Sequence, residues 1–140
     1  MNPMTKHPRL REWAVQAVLL LMLLVPLFPG FFFRGERIVP ADILFQSKPW
    51  DRYAPPGYER AQNRVMVDVV AAFMPYYAIA EDSLEAGEWP LWNPRQYLGI
   101  PLMANVQSTV LYPPRLLHRL IDDLFLATSV FVVFKLWLCG

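Results

Sequence analysis

The sequence predicts a mainly α-helical integral membrane protein: a first transmembrane helix, a long extracytoplasmic loop with interfacial helices, and the start of a second transmembrane helix. Three observations carry this. Hydrophobic residues make up 55% of the 140 residues, and they concentrate at the two ends of the chain. Residues 14–33 hold no charge and are numerous enough for a helix to cross a hydrocarbon core of about 30 Å. Between the apolar ends, residues 34–123 carry charges of both signs and many prolines, as an external loop does.

The amino-terminal residues 1–13 include Lys6, Arg9 and Arg11, a basic flank that places this end in the cytoplasm. The same flank and apolar run also fit a signal peptide. A signal peptidase site needs small residues, however, and Phe31, Phe32 and Phe33 stand there instead. An uncleaved span is therefore expected, with Trp13 and those phenylalanines near its two interfaces. Pro26 and Pro29 should kink its outer end.

In the external loop, Pro40, Pro49, Pro55, Pro56 and Gly57 divide the first part into short turns. A helix is then expected from the N-cap Asn63 to the stop at Gly87, with Val65, Val69, Ala72, Phe73, Tyr76, Ala80 and Leu84 on one face and a kink at Pro75. The next stretch, GEWPLWNPRQYLGIPLMANVQSTVLYPP, cannot be one helix, because Pro90, Pro94 and Pro101 remove donors and Gly99 breaks the run. It reads as a shaped, turn-rich segment with aromatic anchors. Residues 113–123 hold too many charges for hydrocarbon and read as an amphipathic interfacial helix. Residues 124–140 begin a second span, interrupted by Lys135 and apparently truncated.

A net charge of +1 gives no broad basic surface, so nucleic acid is not an expected partner. One cysteine, Cys139, excludes an intramolecular disulfide. No P-loop, dinucleotide fingerprint, zinc-protease motif or nucleophile elbow is present, and no metal-ligand spacing is visible. His7 and His118 read as polar flank residues, and Glu81, Asp82 and Glu85 as a solvated helix face. Two carboxylates stand in apolar surroundings. Asp68 interrupts VMVDVVAAFMPYY and is either a base with a raised pKa or one partner of a surface pair with Arg64. Asp42 in VPADILF is either a turn residue or a catalytic group. Arg64 and Arg95 can pair on the surface or bind phosphate. Trp92, with Asn93, Asn105 and Gln107, offers a stacking face and uncharged hydrogen-bonding groups for a substrate, while interfacial anchoring explains the tryptophans equally well.

The order PADILF, Asp68, Met74-Pro75, GEWPLWNP, GIPLMANVQS and LYPP resembles the amino-terminal part of the YfhO-type bacterial membrane proteins, placed in the GT-C glycosyltransferase superfamily. The resemblance covers residues 33–117 and the preceding span. It implies a multi-pass protein of the bacterial cytoplasmic membrane whose remaining helices complete a catalytic bundle. It also implies transfer of a sugar from a polyprenyl-phosphate donor to a cell-envelope acceptor on the outer face. An acidic residue of the first external loop serves that reaction, Asp68 first and Asp42 second. It would take the acceptor's proton or help hold a divalent metal. Arg64 or Arg95 would meet the leaving phosphate. The adjacent acidic pair of several GT-C families is not found beside Asp68; Glu81-Asp82 falls late in the helix. One and a half spans cannot form the bundle, so this chain alone is expected to be inactive.

Overall fold

The computed structural model describes residues 10–140 and is mostly helical. The basic flank of Lys6 and Arg9, and His7, lie outside the described residues. Helix α1 (Leu10–Leu27) follows from an unbroken run of Leu, Val, Ala and Met and is long and apolar enough to cross a membrane. Length and composition of this kind suit a membrane span or a signal sequence alike. Only Leu24 of α1 is buried, so nearly the whole helix lacks cover within the chain. Pro29 starts a short second helix, α2 (Pro29–Arg34), with Phe28 as the non-helical joint. Gly35 ends it at φ 68°, a left-handed C-cap that a side chain would strain.

The segment after α2 is then pinned to the last helix, α4 (Leu124–Cys139). Arg37 reaches Asp123 at 2.8 Å, and the Ile38 amide donates to Ser129 Oγ at 2.8 Å. Asp123 also caps α4, accepting from the amides of Phe125 and Leu126. At its other end α4 meets α1, where the Trp137 indole donates to the Ala17 carbonyl at 2.8 Å. Helix α4 thus runs back toward the start of α1. It is apolar but shorter than α1, at 16 residues.

Between these ends lie two 3₁₀ helices, Ala41–Gln46 and Trp50–Tyr53, each opening beside a proline. Phe45 and Tyr58 close edge to face over them, with centroids 5.4 Å apart. Asn63 caps a turn by accepting from the Val65 and Met66 amides, but the helical run starts later than the sequence pattern predicts. Val65 falls outside it and is 87% exposed. Just ahead of Pro75, where the sequence predicts a kink, the helical ladder changes its register. The segment Val69–Phe73 is a π-helix, its ladder closed by Met74 N–H donating to the Val69 carbonyl, and it leads into α3 (Met74–Glu85). Proline has no amide to keep the four-residue ladder, and a single wider turn accommodates it.

The core forms on α3: Tyr76, Tyr77, Ile79 and Ala80 pack with Leu102, which is fully buried. Leu102 comes from a two-stranded antiparallel hairpin, β1 (Trp92–Asn93) and β2 (Ile100–Pro101), paired Trp92 to Pro101 and Asn93 to Ile100. The hairpin turn holds Tyr97 and Leu98 at positive φ, followed by Gly99 at φ 113°. A Cβ at Gly99 would collide with the Trp92 indole. The 113–123 region forms a 3₁₀ helix over Pro113–Leu120, not a regular amphipathic α-helix. Its buried face is polar, which reverses the expected orientation, because Arg115 and His118 point inward.

Replacing Gly99 by Ala should destabilise the segment between α2 and α4 by about 1–3 kcal/mol, from the strained backbone and the displaced indole. Tryptophan fluorescence during thermal unfolding in detergent checks this; an unchanged midpoint would show that the turn tolerates a side chain.

Candidate functional site

A cavity of about 540 Å³ opens where the segment after α2 meets α4. Its floor and walls come from Ile38, Val39, Pro40, Met66 and Val69, and from Thr128 and Val132 of α4; Glu36, Arg37, Asp42, Gln62 and Asn63 bring polar groups. Three local devices place these residues. The Gly35 cap turns the chain so that Arg37 meets Asp123. Pro40 starts the 3₁₀ helix that carries Asp42. The π-helix turns Val69 toward the cavity while α3 keeps its tyrosines in the core.

Asp42 ties this region together. Its Oδ2 accepts from the Gln62 amide at 2.8 Å, and its main-chain carbonyl accepts from the Tyr58 hydroxyl at 2.8 Å. The carboxylate is half-buried at the cavity wall. Asp68 is exposed, does not line the cavity and makes no ion pair with Arg64 among the described residues. Arg64 lies beside a separate open cleft with Arg60, Ala61 and Gln62. Arg95 pairs with Asp82 at 2.8 Å, both exposed. Trp92 is half-exposed, its ring lying over Gly99. Asn93 is buried and shapes its own turn, accepting from the Arg95 amide and donating to Gln96. Asn105 caps the short 3₁₀ helix Val106–Ser108 by accepting from the Gln107 amide, and Gln107 is exposed. Of the eight residues singled out from the sequence, Asp42 alone lines this cavity.

Behind the α4 wall lies a polar cluster that sequence reading missed. His118 is 4% exposed and sits edge to face between Tyr77 and Phe131, both 5.2 Å away by ring centroid. Its Nε2 is 3.4 Å from Thr128 Oγ1, which itself donates to the Leu124 carbonyl at 2.8 Å. Arg115 lies flat over the Tyr77 ring at 3.9 Å and reaches Glu81 at 3.4 Å. Glu81 therefore departs from the solvated face predicted for it, and His118 from a polar flank. Burial raises the Glu81 carboxyl and lowers the Arg115 guanidinium, while their mutual attraction opposes both shifts. Burial, with the Arg115 charge beside it, pushes His118 down to about 4, so the ring is neutral at pH 7. The overlooked signal was the spacing of Arg115 and His118: in a 3₁₀ helix residues three apart eclipse and share a face. Thr128 belongs to both the cluster and the cavity wall, so the cluster sets where that wall stands.

No family model, curated protein or solved structure matches this chain.

Because His118 binds a proton more weakly in the folded chain, the unfolded state gains protons first as pH falls from about 6.5. Stability should be complete well above that value, drop by about 3 kcal/mol down to pH 4, and fall little further from this group below it. Thermal melts in detergent across that range test this, and His118→Phe should flatten the slope. A wild-type profile without that slope would show that His118 is not buried neutral.

Proposed function

We propose that this chain is the amino-terminal part of a YfhO-type, GT-C-like membrane glycosyltransferase. In this reading α1 and α4 lie in the bacterial cytoplasmic membrane, and the intervening segment lies on the outer face. The enzyme moves a sugar from a polyprenyl-phosphate donor to a cell-envelope acceptor, with further membrane helices of the protein completing the site. The observation that carries this reading is the carboxylate of Asp42 in a roomy cavity at the junction of the outer segment and α4. A lipid-linked donor needs that location, since its tail stays in the bilayer while its sugar reaches the outer face.

The geometry favours Asp42 over Asp68 as the base. Asp42 would take the acceptor hydroxyl's proton as the new glycosidic bond forms at the anomeric carbon and the bond to phosphate breaks. Its hydrogen bond from the Gln62 amide holds one oxygen in place and fixes the orientation of the other. Arg37, tied to Asp123, contributes positive charge at the cavity for the departing phosphate. The described residues contain no cluster of three His, Cys, Asp or Glu side chains able to hold a divalent metal, and no step is assigned to one.

A second reading has its own observation. Trp89, Tyr97 and Leu98 are 68%, 87% and 104% exposed, an apolar display that suits a non-catalytic anchored module binding lipid or an envelope partner. Substitution separates the two. In the full-length protein Asp42→Asn keeps an acceptor for the Gln62 amide and should lower sugar incorporation into envelope polymer about 100-fold at equal protein level. Asp68→Asn should stay within about threefold of wild type, because its side chain faces solvent. Normal incorporation with Asp42→Asn would remove Asp42 from the reaction and favour the binding module.

A further inference from the structure

Lys135 is the one charged residue within residues 124–140, and its surroundings do not account for it. It is exposed, and no carboxylate pairs with it among the described residues. Its Nζ lies over the Phe131 ring at 4.9 Å. Phe131 is one turn nearer the start of α4, so the amine leans away from the helix end that meets Ala17. Side chains on a helix lean toward its amino terminus, which fixes this direction. With Trp13 at the inner interface, Ala17 stands roughly 6 Å further in along α1, and Lys135 about half a turn beyond Trp137. The amine therefore points deeper into the apolar layer instead of back to the nearer cytoplasmic surface. A cation–π contact offsets only part of the cost of an ammonium there.

The face is also bounded. Trp137 and Gly140 touch α1, and Lys135 is about 200° around the helix from Trp137, on the opposite side. On that opposite side the turn above is covered, since Phe131 packs against Tyr112 and His118. Below that lid the face of α4 is open, with Lys135 at its top and Cys139, one turn on along the same face, exposed beneath it. Neither residues 14–33 nor 124–140 contain an Asp or Glu, so the apolar helices of a second copy offer no counter-charge.

We propose that this face of α4 is the docking surface for a further membrane helix that carries a carboxylate opposite Lys135, supplied by polypeptide outside these 140 residues. The helix ends beneath the Tyr112–His118 lid and pairs its acid with the amine already turned toward it. This inference rests on the membrane placement of α1 and α4 and is independent of sugar transfer.

The test uses the full-length protein in membranes of the cells that make it, washed with alkaline carbonate. p-Benzoylphenylalanine in place of Cys139 is photoactivated, and the adduct is sequenced by mass spectrometry. The expected adduct is an apolar segment of about twenty residues containing one Asp or Glu. Lys135→Met should lower its yield about tenfold, Lys135→Arg should retain it, and exchanging the two charges should restore it. Adducts with lipid alone, with a second copy, or with an acid-free helix would overturn the proposal, as would an undiminished yield with Lys135→Met. Release of the protein by carbonate would overturn the membrane placement, and the docking surface with it.

Discussion

The segment between α2 and α4 hangs on one buried contact, the stack in which His118 lies between Tyr77 and Phe131 while the Arg115 guanidinium lies over the Tyr77 ring. Three separate elements meet there: α3, the Pro113–Leu120 helix and α4. With a single cysteine the segment has no internal disulfide, and its apolar core is confined to a few residues around Tyr76, Ile79 and Leu102. Aromatic burial and a shielded ion pair therefore hold what a larger core would hold elsewhere. A neutral His118 is what makes the arrangement compatible with Arg115, because a second positive charge at that distance would push the two apart.

That contact bears on the cavity through Thr128. Its hydroxyl is engaged by the Leu124 carbonyl and faces His118, and its residue also forms part of the cavity wall. On the opposite wall Asp42 fastens residues 58–62 by two hydrogen bonds. The cavity is thus framed by two polar ties, one on each side, and apolar residues fill the rest. Such framing holds a carboxylate in place without burying it fully, which keeps it reachable.

The apolar helices and the turn-rich character of the stretch around Gly99, though not its hairpin pairing, were readable from sequence because each follows from local chemistry. An unbroken Leu-Val run makes α1, and Gly99 after a proline-broken stretch makes the turn under Trp92. The spacing of Arg115 and His118 shows that they share one face, but not that this face turns inward, since charged residues do so only when a partner waits there, and Glu81 is 34 positions away. The same holds for Asp42 and Asp68. Both interrupt apolar runs, and what separates them is burial, set by how residues 58–62 fold over Asp42. Asn93 and Asn105 looked like ligand groups but spend their amides on their own turns, a use that short polar side chains adopt wherever the chain reverses.

The π-helix of Val69–Phe73 has a wider meaning for this architecture. A π turn takes up one residue more than an α turn, so it offsets the helix by about 100° between its two ends. That offset lets one continuous helical segment serve two unrelated surroundings, Val69 at the cavity and Tyr76 and Tyr77 in the core. Deleting a single residue there would bring both ends back into phase. Val69 would then swing out of the cavity wall while the core stayed as it is, so the volume beside Asp42 is set by a count of residues as much as by their kind.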